Sequence, residues 1–147
     1  MSDTLSIIDR LVSGQGPKQD SAAVADTIGR DLLLLLNSWA RLERQAAERH
    51  KTLQSSVLNY GVEGIAGQSL QPQTLEAYER TIRAAVERFE PRLDADTIQV
   101  SAQPGGAGRS STEFTLRISG QMIAEGGTRQ LVFDSLVNSD TGRVNLI

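Results

Sequence analysis

The hydrophobic pattern of this chain changes its period once, close to Pro91. Before the proline, apolar residues recur every three or four positions, as on one face of a helix. After it, apolar and polar residues alternate, as in half-buried strands. Because the helices come first and the strands follow, the sequence predicts an α+β fold, with two main helices packed on a small antiparallel sheet.

Two long helices are predicted ahead of the proline. The first starts at Ser21, and Leu33 and Leu34 lie outside its apolar stripe. It is therefore predicted either to be buried between two layers or to meet another protein. The second is capped by Thr74 and ends at Phe89 or Glu90, since the residue before a proline is disfavoured in a helix. The stripes comprise Val24, Ile28, Leu32, Leu35, Leu36 and Trp39 in the first helix, and Leu75, Tyr78, Ile82, Ala85, Val86 and Phe89 in the second.

Four strands are predicted after the proline, at residues 97–102, 114–119, 131–137 and 144–147. Met122 and Ile123 are candidates to extend the second strand past Gly120. Between the two helices, the glycine-containing stretch 55–72 also carries regularly placed apolar residues. It is predicted to be an ordered loop held by its apolar side chains.

The first twenty residues are predicted to be a short docking helix and a linker, preceding an α+β domain at 21–147. Leu5, Ile8, Leu11 and Val12 fall at helical spacing, and the stretch from Ser13 to Pro17 then breaks the helix. The alternative is that this helix folds back onto the domain's own core. No signal-peptide pattern opens the chain, and the longest apolar run, 32–36, is too short to cross a bilayer. The sequence thus predicts a cytoplasmic protein without membrane insertion.

The composition argues against several classes of function. There is no cysteine, which rules out thiol catalysis and zinc–thiolate sites, and His50 is the single histidine. A net charge of −3 disfavours a nucleic-acid partner. We find no P-loop, dinucleotide fingerprint, EF-hand loop or nucleophile elbow, so no cofactor, metal or catalytic residue is predicted.

One enzymatic alternative is a small peptidoglycan hydrolase. Phage-type lysozymes carry a Glu, an Asp nine residues later and a Thr six further on. Glu87 and Asp96 match the first interval, but residue 102 is Ala. Glu87 also falls on the polar face of its helix, where nothing would raise the pKa of a catalytic acid. A pair of carboxylates across a cleft near Glu63, Glu87 or Glu90 would favour this alternative.

The sequence around Pro91, where the second helix ends, is Arg-Phe-Glu-Pro-Arg-Leu, from 88 to 93. Taken alone, Glu90-Pro91-Arg92 has a local explanation: the proline stops the helix, and a cation suits the helix C-terminus. The sequence blocks on either side of this motif are more specific than the motif alone. Arg-Asp-Leu-Leu-x-Leu-Leu-Asn at 30–37 and Ser-Val-Leu-Asn-Tyr-Gly at 56–61 precede it, and a β-rich end follows.

This order of blocks resembles the phage baseplate wedge family often labelled "lysozyme-like", and within it the TssE-like subunits of type VI secretion baseplates. The resemblance covers nearly the whole chain. It implies a non-enzymatic structural subunit that joins the baseplate wedge to the first sheath ring and initiates sheath assembly. Such a subunit would act at the cytoplasmic face of the membrane complex.

The resemblance also implies partners and contact residues. Glu90, Pro91 and Arg92 would bind the wedge subunits TssF and TssG, with TssK as a further candidate. The β-rich end, at Leu131, Val132 and Phe133, would pair with strands of the sheath protein TssB/TssC. Under this hypothesis, reversing the charges of Glu90 and Arg92 leaves the fold intact and abolishes wedge assembly.

Overall fold

The computed structural model describes residues 21–40, 49–105, 111–124 and 127–147. These residues form three α-helices, α1 (Ser21–Leu36), α2 (Lys51–Gln54) and α3 (Pro72–Phe89), with short 3-10 turns at Val57–Asn59 and Ala95–Thr97. The strands are β1 (Gln99–Pro104), β2 (Glu113–Ala124), β3 (Gly127–Asn138) and β4 (Val144–Leu146). The α+β prediction is confirmed. The helix predicted near the N-terminus lies outside the described residues.

Helix α3 begins three residues earlier than its sequence predicts. The N-cap is Gln71, with an extended backbone, and Pro72 occupies the first helical position. Proline suits this position because the N–H that it lacks would have had no partner within the helix. The prediction that Thr74 caps the helix is therefore wrong. The end at Phe89 is confirmed, with the helix closed by Glu90 as its C-cap.

Helix α1 turns one face to the core and leaves part of the opposite face uncovered by the described residues. Leu32, Leu35 and Leu36 are almost fully buried, whereas Leu34 is 61% exposed. The side-chain amide of Asn37 then links the helix end to the sheet. It donates to the Val144 carbonyl at 2.9 Å and accepts from the Val144 N–H at 3.0 Å.

The four strands form an antiparallel meander in the order β1-β2-β3-β4. Strand β2 runs through Gly120, as predicted from Met122 and Ile123. A side chain at 120 would meet Leu93 and Ile98 at ordinary contact distance. The paired region of β2 and β3 extends over twelve residues in each strand. This paired region is longer than the predicted strands. Because β4 pairs only with residues 135–137, β3 projects well beyond it.

One face of the sheet packs under α1 and α3 and forms the core. Phe114, Leu116 and Ile118 are buried, as their alternation in the sequence predicts. Tyr78 of α3 meets Phe114 edge to face, with ring centroids 5.9 Å apart. The loop between the helices joins this core through Val62 and Ile65, which are 3% and 1% exposed. The prediction of an ordered loop held by apolar side chains is confirmed.

Candidate functional site

The end of α3 carries a compact ion-paired corner, formed by Glu90, Pro91 and Arg92. The Arg92 side chain folds back on Glu90, with Nε 2.7 Å from Oε1 and Nη2 2.5 Å from Oε2. The Arg92 backbone N–H also donates to Oε1, at 3.1 Å. Glu90 is only 3% exposed, so its carboxylate is held by charge-assisted bonds inside the protein.

Asp31 of α1 completes this corner. Its Oδ2 accepts from Nη2 of Arg92 at 2.5 Å, across 61 residues of sequence. Burial acts to lower the pKa of Arg92, but the hydrogen bonds and charges of Glu90, and then of Asp31, outweigh it and raise the pKa. The contribution of Asp31 was not predicted, although it lies within the 30–37 block. The corner therefore joins α1 to the end of α3.

Tyr60 brings the third sequence block to the same place. Its ring meets Phe89 edge to face at 5.3 Å, and its hydroxyl lies 3.5 Å from the Asp31 carbonyl oxygen. Burial raises the pKa of Tyr60, and the charges of Asp31 and Glu90 raise it further. The blocks at 30–37, 56–61 and 89–93 are thus brought together at one corner of the fold.

Part of this corner faces outward. Pro91 is exposed, and the Arg92 side chain retains 15% exposure. Nη1 of Arg92 makes no hydrogen bond to the described residues, so two of its five N–H donors remain for a partner. A charge reversal would instead bury an arginine at 90 and set a glutamate at 92 against Asp31. We therefore expect the reversal to destabilise the fold, contrary to the expectation from sequence.

The sheet has two edges, and β1 forms the protected one. In β1 the N–H groups of alternate residues, including Ala102, point away from β2. The Ala102 N–H donates to Oε1 of Glu79 at 2.6 Å. Pro104 falls at the next outward position and has no N–H to offer. The spacing of four residues along the helix predicts a surface ion pair between Glu79 and Arg83. In the structure Arg83 pairs instead with Glu87, at 2.8 Å.

The protected side continues where β2 extends past β1. Here the Gln121 carbonyl accepts from the Asp94 N–H at 2.8 Å. The Gln121 N–H donates to Oγ1 of Thr97 at 2.9 Å. Both main-chain groups of Gln121 are thereby bonded within the protein, so they are not available to a further strand on this side.

The opposite edge, along β3, is covered over only part of its length. Strand β4 pairs with residues 135–137, and the N–H of Ile147 bonds to the Asp134 carbonyl at 3.0 Å. Toward the hairpin, Thr128, Gln130 and Val132 point their main-chain groups away from β2. These groups bond to no residue in the described part of the chain. We call residues 128–132 the open edge.

An open groove of about 660 Å³ borders this edge, between α1 and β3. Phe133 packs near Gly29, where an added Cβ would lie 3.2 Å from the ring. Leu131 is buried, whereas Val132 is 53% exposed. The groove is lined by Ala25, Asp26, Gly29, Arg30, Leu131, Val132, Phe133 and Leu146. All three residues that the resemblance assigns to sheath contact therefore line one surface.

The carboxylates considered for hydrolysis lie in unlike environments. Glu87 is exposed and bonded to Arg83, Glu63 is exposed, and Glu90 is buried against Arg92. The described residues contain no cluster of three metal-ligating side chains. The arrangement therefore provides no observation that favours the hydrolase alternative.

The chain matches one known protein family. A model described as "Baseplate wedge protein gp25" matches residues 22–126. The chain belongs to this family. Neither a curated protein nor a solved structure gives a significant match.

The matched region contains the ion-paired corner but not the open edge. It contains the Glu90-Pro91-Arg92 corner with its partner Asp31, and it ends just before β3. Family membership supports a structural role in a phage-tail-like baseplate, with other baseplate and tail components as the implied partners. No helix in the described ranges is long and apolar enough to cross a membrane.

Proposed function

We propose that this chain is a TssE-like subunit of a type VI secretion baseplate, which links the wedge to the first sheath ring and initiates sheath assembly. It would work as a non-enzymatic scaffold in the cytoplasm, where the baseplate docks on the membrane complex. The observation that carries the proposal is the open edge at 128–132, whose main-chain groups bond to no described residue. On the other side of the sheet, Ala102 and Gln121 bond their outward main-chain N–H groups within the protein. Family membership supplies the baseplate context.

The open edge has the properties needed to receive a sheath strand of TssB/TssC. Thr128, Gln130 and Val132 offer main-chain donors and acceptors in the regular spacing of an antiparallel or parallel ladder. An added strand would lie in line with β4, along the same edge of β3. Main-chain hydrogen bonds would supply affinity, and side chains of Leu131, Val132 and Phe133 would supply selectivity.

The corner provides a separate surface for the wedge subunits TssF and TssG, with TssK as a further candidate. Glu90 and Asp31 fix the guanidinium of Arg92, so that little side-chain entropy is lost when a partner binds it. Its two Nη1 donors suit a carboxylate or a carbonyl at a helix end. Exposed Pro91 gives the contact a rigid backbone.

The sheath contact is tested by Val132→Pro, with Val132→Thr as its matched control. Proline removes an N–H that the fold does not use, whereas threonine keeps the N–H and the β-branched shape. In a pull-down with TssB/TssC, we expect Val132→Pro to lower affinity at least about tenfold and Val132→Thr to bind normally. Equal binding by the two folded variants would contradict strand addition at this edge.

The wedge contact is tested separately by Pro91→Lys, with Gln73→Lys as the control. Both positions are exposed, one beyond the C-terminus of α3 and one in its first turn. A lysine after the helix suits the helix dipole, so the fold should survive while the added side chain obstructs the corner. We expect only Pro91→Lys to lose TssF–TssG in a pull-down. Retention of the wedge subunits would exclude Pro91 from the contact.

A further inference from the structure

The protected edge of the sheet has a gap at Val100. The N–H groups of Ala102 in β1 and Gln121 in β2 are bonded to Glu79 and Thr97. Val100 lies between them along the edge, two residues before Ala102, so its main chain also points away from β2. Its N–H makes no hydrogen bond to the described residues. One main-chain donor therefore remains available on this side.

An open groove of about 440 Å³ surrounds this gap, between α3 and the first two strands. Arg80 and Arg83 line it from the helix, and Ser101 and Arg117 line it from the sheet. The lining holds three arginines and one glutamate, a net charge of +2, whereas the whole chain has a net charge of −3. The groove is thus opposite in sign to the protein around it.

Each arginine keeps N–H donors that the fold does not use. Arg83 donates through Nε to Glu87 at 2.8 Å, and Arg117 donates through Nε and Nη2 to Asp134 at 2.7 and 2.9 Å. Nη1 of both side chains, and Nη2 of Arg83, make no hydrogen bond to the described residues. The Arg80 side chain makes none with them at all. The two carboxylates therefore orient their arginines and leave the remaining donors for another acceptor.

A site rich in donors requires a ligand rich in acceptors. Carboxylates meet this requirement, because guanidinium groups bind them through paired N–H donors. A complete added strand does not fit, since the Ala102 N–H is already bonded and Pro104 has no N–H. Val100 can therefore supply only one position of a ladder, and the side chains must supply most of the binding.

The exposure of the arginines favours a protein partner over a free anion. The side chains of Arg83 and Arg117 are 52% and 59% exposed. A small anion bound to them would stay in contact with water and gain about 1 kcal/mol or less from each pair. A protein surface would exclude this water and would engage several arginines at once.

We propose that this groove docks an acidic segment of a partner protein. Carboxylates of the segment bind Arg80 and Arg83, and one of its oxygens accepts from the Val100 N–H. The groove lies on the sheet edge opposite the open edge, and Arg83 precedes Glu90 by about 10 Å along α3. It is therefore a third surface, separate from the two already described.

Nuclear magnetic resonance of the nitrogen-15-labelled full-length chain tests the docking, with the amide signal of Val100 as the reporter. The probe is the end-blocked peptide Gly-Asp-Glu-Asp-Gly, and its control is Gly-Asn-Gln-Asn-Gly. We expect only the acidic peptide to shift the Val100 signal saturably, and Arg80→Gln to weaken its binding at least about fivefold. Arg143→Gln removes the same charge from an exposed loop outside the groove and should leave binding unchanged.

Three results would overturn the proposal. The first is a Val100 signal that the acidic peptide does not move, and the second is equal binding of the two peptides or by the two variants. The third uses inorganic pyrophosphate as a further probe: saturable binding of pyrophosphate without binding of the peptide would identify a site for small anions instead. No sheath or wedge subunit enters these measurements, so they fail or succeed independently of the proposed function.

Discussion

Arg92 is the group on which the corner depends for stability, and Arg92→Met tests this. Methionine keeps much of the side-chain volume but removes the charge that faces Glu90. Glu90 is 3% exposed, so its carboxylate would be left buried without a counter-charge. Breaking a buried ion pair in this way costs about 3–5 kcal/mol. That is a large share of the ~5–15 kcal/mol that stabilises an ordinary domain.

Asp31→Asn provides the internal comparison. Asp31 contacts the same guanidinium, but its side chain is 33% exposed, so solvent can compensate for much of the loss. The expected cost is about 1 kcal/mol or less. Replacing Glu90 and Arg92 together by Leu and Met should recover most of the stability lost in Arg92→Met, since no buried charge then lacks a partner.

Urea unfolding, followed by circular dichroism, measures all three variants. A loss of ~4 kcal/mol at a slope of about 2 kcal/mol per molar urea lowers the midpoint by about 2 M. For Asp31→Asn the shift should be about 0.5 M or smaller. Equal shifts for Arg92→Met and Asp31→Asn, or no recovery in the double variant, would refute the assignment of Glu90 as the buried charge.

Three further outcomes are expected. Gly61→Ala should prevent stable folding, because Gly61 has φ +127° and a Cβ would lie 2.3 Å from the Ser38 carbonyl oxygen; expression with a thermal melt checks this. Glu79→Ala should cost about 1–3 kcal/mol by leaving the Ala102 N–H unbonded, whereas Glu79→Gln, which keeps an acceptor, should cost less by urea unfolding. Burial raises the pKa of Tyr78 to about 12 in the folded state, so the stability from its neutral hydroxyl is complete below about pH 10 and is lost as the pH rises through 12; the tyrosinate absorbance of the folded protein checks this.

The period change at Pro91 was sufficient to predict the fold class, because periodicity reports which face of an element is buried. The end of α3 could be predicted for the same local reason, since proline restricts the residue before it. Its start could not, because Pro72 and Thr74 are both good residues for a helix N-terminus and only the backbone distinguishes them. Strand lengths were underestimated, since pairing between β2 and β3 continues through weakly patterned residues such as 127–130.

Less of the two candidate surfaces than of the fold could be predicted from the sequence. The Glu90-Pro91-Arg92 motif was visible, but its burial and its bond to Asp31 depend on α1 and α3 meeting in space. Glu79 was interpreted as a surface ion-pair residue because helical spacing shows only neighbours within the same helix. Which sheet edge is open follows from hydrogen bonds between distant segments, and no local pattern records them.

The contact between Ser38 and Val62 also affects where the chain can tolerate inserted residues. The Val62 N–H bonds to the Ser38 carbonyl at 2.9 Å, and Trp39 pairs with Val62 as a parallel bridge. The bridge clamps both ends of the stretch 40–61 to the same point of the core. Doubling the length of a clamped loop costs only about 0.6 kcal/mol in closure entropy. An insertion between the two clamped ends, such as a fluorescent tag, should therefore leave the surrounding core in place.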